Sequence, residues 1–258
     1  MPFSKDLLIG ASGNQGGGFS PTACRFDASD ADEMARTIGA PTNVDRWTCS
    51  WWQERTTSSF FEVAFAGRQN GTSYDNVFHQ SSDNTLRLEA QDGGTSYSVY
   101  TNGGYVHGTW RNYVCQYDSA NGTAGNRIKF FINGSQSAVS TRYSGQPASG
   151  RNSILNTENA SFNIGHSPDY NGNANSKFSE FAFIDGTIVA ASVFAEDNGG
   201  TWSAKDFAEN VTFGNNGFYL TFQNSAALGE DSSGNDNDFA LANIGADHQV
   251  KDDVPPSV

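Results

Sequence analysis

The side chains of this 258-residue sequence with the clearest chemical potential are oxygen donors. Counting from Asp169, oxygen-bearing side chains follow at Asn171, Asn173, Asn175 and Glu180. Hard oxygens at such spacing are what a calcium loop employs. Two residues depart from that pattern: Ala174 stands where the loop's sharp turn needs glycine, and Lys177 brings a positive charge among the donors. Glu180 falls in a stretch that alternates like a strand, from which it cannot fold back as a bidentate ligand. The candidate metal donors are thus Asp169, Asn171 and Asn173, with calcium as the ion they suit and a polar hairpin tip as the other reading. The carboxylate and amide cluster from Asp231 to Asp238, and the corner from Asp118 to Asn121, are open to the same two readings.

The same string carries an aromatic. A sugar site combines aromatic planes, which meet C–H faces, with amides and carboxylates that reach hydroxyls. Tyr170 beside Asn171 and Asn173 is the best such group, and Trp202 is a further loop aromatic, with Tyr74 and Tyr105 as others. Trp47, Trp51 and Trp110 sit at strand-like positions and are expected in the core. Catalytic groups are not apparent. Glu54, Glu62, Glu89 and Glu180 are isolated, as expected of solvated residues or salt-bridge partners. His79, His107, His166 and His248 lack metalloprotease or triad spacing. Cys24, Cys49 and Cys115 form no CxxC pair and read as reduced core thiols.

The elements that must carry these residues are strands. Apolar residues alternate over 46–54, 59–66, 74–80, 85–91, 96–101, 109–118, 127–133, 161–165, 177–184 and 217–222. Turn chemistry separates them at Asn70-Gly71, Asp92-Gly93-Gly94, Asn102-Gly103-Gly104, Asn121-Gly122, Asn133-Gly134 and Asp185-Gly186. That rhythm predicts an all-β sandwich in a single domain rather than a βαβ fold. One short helix is expected over 203–210, where Ser203 could cap it.

Composition excludes other classes. The formal net charge of -13, from 28 acidic and 15 basic side chains, opposes binding to phosphate backbones, so no nucleic-acid partner is expected. No apolar run is long enough to cross a bilayer as a helix. Residues 1–20 read as a flexible or extended N-terminal arm, with Phe3, Leu7, Leu8 and Ile9 as an apolar anchor onto a neighbouring subunit and a glycine-rich run from Gly10 to Gly18. The sandwich is expected over 21–250, and 251–258 form a proline-bearing tail.

These segments resemble a known family. Trp47-Thr-Cys-Ser-Trp-Trp-Gln-Glu-Arg55, Trp110-Arg-Asn-Tyr-Val-Cys-Gln-Tyr-Asp118, Arg127-Ile-Lys-Phe-Phe-Ile-Asn-Gly134, Phe162-Asn-Ile-Gly165 and Phe178-Ser-Glu-Phe-Ala-Phe-Ile-Asp-Gly186 are similar in order and spacing to laminin-G-like, concanavalin A-like jelly rolls. The resemblance implies a jelly-roll sandwich of two antiparallel sheets. Residues 217–222, 228–239 and 246–255 are similar to a subgroup found in virion proteins of tailed, especially marine, bacteriophages. It implies a non-enzymatic virion surface protein, a capsid decoration or tail-fibre accessory subunit made in the host cytoplasm. Its partners would be other virion proteins and further copies of itself in symmetric array. The alternative is a lectin-type adhesin for host surface glycans, with calcium as an optional aid. The family also contains glucanases, but their Glu-x-Asp-x-x-Glu strand signature is absent.

Overall fold

The computed structural model describes residues 19–56, 61–104, 106–170 and 172–258. The expected alternation becomes strands nearly throughout, because period two places one face of each strand against apolar neighbours. Along the chain they are β1 (Ala23–Phe26), β2 (Glu33–Thr37), β3 (Arg46–Arg55), β4 (Phe61–Asn70), β5 (Ser73–Gln80) and β6 (Thr85–Asp92). There follow β7 (Thr95–Gly104), β8 (Arg111–Asp118), β9 (Ile128–Ile132), β10 (Ser135–Gln136), β11 (Val139–Tyr143) and β12 (Ser161–Ile164). The last are β13 (Ser176–Asp185), β14 (Ala195–Asn198), β15 (Thr201–Ala204), β16 (Phe218–Leu220), β17 (Ala240–Ala242) and β18 (Gln249–Val250).

Two antiparallel sheets of eight strands face each other, as the fold class predicts. The first runs β10-β9-β8-β3-β13-β1-β18, with β16 also on β13; the second runs β11-β7-β6-β5-β4-β12-β2-β17. β14 and β15 form a separate hairpin. Trp47, Cys49 and Trp51 share the inward face of β3 and meet Phe65 of β4 across the sandwich, Trp51 edge-on with ring centroids 5.2 Å apart. All three cysteines are buried and free, and burial pushes each thiol well above its ordinary pKa, so none is a ready nucleophile.

In β13 the alternation breaks, since Phe178 and Phe181 are three residues apart yet both enter the core. A bulge between Ser179 and Ala182 inserts one extra residue and resets the phase. Glu180, in that bulge, takes a left-handed φ of 48° and is buried, with the Tyr219 hydroxyl donating to its Oε2. It is neither the solvated residue nor the salt-bridge partner expected.

The outer face of the first sheet is covered as well. Val114, Ala182, Ile184 and Tyr219 lie beneath Phe194, Phe207 and Phe213. The helix expected over 203–210 does not form. Ser203 and Ala204 belong to β15, and only Ala208–Asn210 make a 3-10 turn. Tertiary contacts override a weak propensity: the Ala204 amide donates to Pro256 O (2.6 Å), and Phe207 packs edge-on against Phe194. Trp110 corrects a second expectation. It precedes β8 at a position facing away from inward Tyr113 and Cys115, and packs half-buried beside Trp52 and Trp202 on this outer side. Residues after 250 run alongside β15, where Ser257 bridges Ala204, and Asp253 accepts from Trp110 Nε1 (3.2 Å) and pairs with Lys177. Among the described residues no helix is long and apolar enough to cross a membrane.

Candidate functional site

The residues singled out from the sequence fall in separate places. Phe3, Leu7, Leu8, Ile9 and Asn171 lie outside the described residues. Tyr170 packs on the outer face of the second sheet, stacked on Phe61 and edge-on to Tyr74, and its hydroxyl donates to Glu89 Oε1 (2.6 Å). Burial and that carboxylate push its phenol pKa up. Trp202 lies on the opposite side of the sandwich, over the Asn133-Gly134 turn, so it cannot share a ligand with Tyr170.

The oxygen-rich strings are spent internally. Asp169 pairs with Arg68 (Nε–Oδ1 3.3 Å) and leaves Oδ2 buried without a hydrogen bond; burial raises its pKa, with Arg68 opposing. Asn173 Oδ1 meets His166 Nδ1 at 2.7 Å, and its amide donates to Ala28 O (3.2 Å). Asp231 accepts from the backbone amides of Tyr219, Ser233 and Asn237, which makes it the organiser of its turn. Asp118 pairs with Arg46 (3.2 Å). Donors already facing an arginine or a ring of amides do not fit a calcium ion, which needs six to eight free oxygens. Among the described residues no three His, Cys, Asp or Glu side chains converge as a metal site.

A different site is present at one end of the sandwich, where the sheets part. A cleft of about 630 Å³ opens there between the β6–β7 turn, the start of β7, the approach to β9, and the loop 144–151. Its wall combines an apolar part, from Tyr97, Ala124, Pro147 and Ala148, with the polar Asp92, Thr95, Arg127, Gln146 and Arg151. Positive φ at Gly145 (81°) and Gly150 (72°) lets the loop turn at both ends.

The floor of the cleft explains its stability. Asp75 is an acid at an inward position of β5, two residues before core Val77, and is fully buried. It accepts from Arg151 Nη2 (3.0 Å), Ser153 Oγ (2.7 Å) and the Ile154 amide (2.8 Å). Arg151 lies over the Tyr97 ring, 4.6 Å from its centroid, and donates to the Tyr97 hydroxyl. Burial opposes the charge of Arg151, but Asp75 and the tyrosines Tyr97 and Tyr117 outweigh it and hold its pKa above the ordinary value. Burial pushes the Tyr97 phenol well up and Tyr117 to about 12, so both stay neutral donors and acceptors. None of these residues stood out in the sequence. The signal was Asp75 itself, a charge in the inward register of a strand that must find a buried cation.

The profile of the Laminin_G_3 family, described as the concanavalin A-like lectin/glucanases superfamily, matches residues 30–194, which include every residue lining the cleft. Among solved structures, a candidate carbohydrate-binding protein from Bacteroides ovatus is 12% identical, with a TM-score of 0.62, and the likeness covers 92% of this chain and 62% of that one. A heptameric SAP-like pentraxin from Limulus polyphemus is 13% identical over 67% of this chain and 79% of its own (TM-score 0.48). Domains LG4-5 of the mouse laminin α1 chain are 13% identical over 68% of this chain and 44% of theirs (TM-score 0.47). No curated protein matches the sequence.

Proposed function

The chain belongs to the concanavalin A-like lectin/glucanases superfamily, and from that premise we propose that it is a non-enzymatic glycan-binding module whose ligand sits in the cleft at the end of the sandwich. The observation that carries this reading is the cleft itself: a concavity of about 630 Å³ with an apolar wall and convergent polar groups. Ligand sites have that composition, the apolar part supplying burial and a few fixed polar groups supplying orientation. Exposed Ala124 and Ala148 offer surface to the C–H faces of a sugar over the buried Tyr97 and Pro147, while Thr95, Gln146 and Asp92 reach for hydroxyls. The buried Asp75–Arg151 pair holds the wall before ligand arrives, so little ordering entropy opposes binding. Binding without turnover suits the lining, because a glycosidase needs two opposed carboxylates and Asp92 is the one carboxylate there.

The virion reading rests on the resemblance of residues 217–255. Much of that segment serves the fold: Asp231 ties its turn to β16, and Phe239 packs on Phe218 and Phe162. A lectin-type module fits better, and a phage surface facing host glycans remains the setting we assign it, where many weak copies would act together. A glycan array followed by calorimetry tests the binding. One glycan class is expected to bind with Kd of about 10 μM to 1 mM. Ala148→Trp, which fills the cleft from an exposed position, should abolish binding without lowering Tm. Binding to no glycan, or full binding by that variant, overturns the proposal.

A further inference from the structure

We infer that the cleft selects sugars carrying an anionic group, a carboxylate or a sulfate ester, and that Arg127 is the residue that reads it; this rests on the cleft being the glycan site. Two arginines line the cleft, and they are not equivalent. Arg151 is spoken for, with Asp75 at 3.0 Å beneath it and Asp92 Oδ2 4.0 Å from its Nε. Arg127 has no such partner: it makes no ion pair with any described residue. Its Nε donates to Asn121 O (3.0 Å) and its Nη1 to Pro147 O (2.8 Å), while Nη2 makes no hydrogen bond to a described residue. The guanidinium is therefore held in place by two main-chain carbonyls, on the loops that form opposite lips of the cleft, with its outer end open.

That arrangement has a chemical consequence. A half-buried cation fixed by carbonyl dipoles keeps its full charge, because a carbonyl oxygen orients a guanidinium without neutralising it. In a chain where acids outnumber bases 28 to 15, a cleft cation that pairs with no described carboxylate is an uncompensated charge in an otherwise acidic protein. A neutral hydroxyl would give it an ordinary hydrogen bond, whereas a carboxylate or sulfate oxygen gives a charge-assisted bond roughly twice as strong. The open end presents the remaining Nη1 hydrogen beside Nη2, a fork that matches two oxygens of one anionic group, which a lysine could not reproduce. The net charge of -13 does not prevent this. At physiological ionic strength, charges more than about 8 Å away are largely screened, so Arg127 dominates the field an anion meets inside the cleft. Asp92, the one lining carboxylate, is drawn toward Arg151 instead.

The test compares oligosaccharides of one backbone in four forms: neutral, uronate-bearing, the methyl ester of that uronate, and sulfated. Calorimetry is run on the whole chain as wild type, Arg127→Gln and Arg127→Lys, with Tm measured for each. The wild type is expected to bind an anionic form at least about tenfold more tightly than the neutral one, and esterification should remove the gain. Arg127→Gln should erase the preference, so that this variant binds its anionic and neutral forms alike, and Arg127→Lys should restore only part of it. The order of uronate and sulfate identifies which anion the fork prefers. Equal binding of neutral and anionic forms by the wild type overturns the inference but leaves glycan binding intact, and so does a preference that survives in a folded Arg127→Gln. Should Arg127→Gln not fold, the ester comparison on the wild type decides alone. Binding of no form overturns the glycan reading itself.

Discussion

At Glu180, burial pushes the carboxyl pKa up to about 8, with the donated hydroxyl of Tyr219 opposing the shift. Asp75 is as deeply buried but meets an arginine, a hydroxyl and an amide. At Glu62 burial likewise raises the pKa, and the Arg55 guanidinium opposes that rise within a fully buried ion pair. Glu62 accepts from Arg55, Ser176 and the Asn175 amide, whereas Glu180 has the Tyr219 hydroxyl, so at Glu180 less opposes the cost of burying the charged form. A carboxyl whose pKa is higher folded than unfolded contributes stability that is complete below about pH 4.5 and is lost as pH climbs through about 8. Glu180→Gln keeps the side-chain volume and an acceptor for Tyr219 but cannot ionise. Its stability should therefore lack this alkaline decline, which for the wild type amounts to on the order of 5 kcal/mol between pH 5 and pH 9. Urea denaturation at pH 5 and pH 9 measures the effect, and parallel pH profiles for the two proteins would contradict it.

Elements show the same rule on a larger scale, because local preference holds only where packing agrees. The Asn133-Gly134 turn between β9 and β10 has positive φ at both residues, 46° and 66°, as an Asn-Gly hairpin favours. Its glycine has a second duty, since a Cβ there would lie 2.5 Å from the Trp202 ring. Gly134→Ala adds a clash to backbone strain and should cost about 2 kcal/mol, read as a lower Tm, with glycan affinity unchanged because Trp202 is remote from the cleft. A Tm equal to wild type would mean that the hairpin and the indole move apart freely. In β13 the alternation was misleading for Glu180, since the bulge that brings Phe178 and Phe181 to one face turns this acid into the protein.

Over the whole molecule, a third layer and the C-terminal residues complete what two sheets leave open. Trp52, Trp110 and Trp202 lie outside the main core, and the chain after Val250 closes over them through Asp253 and the bridge from Ser257 to Ala204. Removing residues 251–258 is expected to cost about 1–3 kcal/mol and to shift tryptophan emission to the red. An unchanged melt and spectrum would show that this closure contributes nothing. The acidity is distributed by the same folding: Asp231 turns inward to its amides, whereas Glu230 and Asp236 stay exposed.

Strand positions, the inward face of β3, the hairpin turns and the sandwich class were legible in the sequence, because each follows from neighbours a few residues apart; the inward face of β8 was not, since Trp110 pointed to the wrong side of it. Tyr97, Arg127 and Arg151 were not. They come from a turn, a loop and a strand that meet only when the sheets close. The partner that makes Arg151 a structural residue, Asp75, is 76 positions away. Tyr170 reads as an exposed platform until the second sheet is assembled, when Phe61, Tyr74 and Glu89 claim its ring and hydroxyl. Alternation encodes which side of a strand is apolar. Which charges cancel, and which one is left open to a ligand, is decided by long-range packing that brings distant residues within hydrogen-bonding reach.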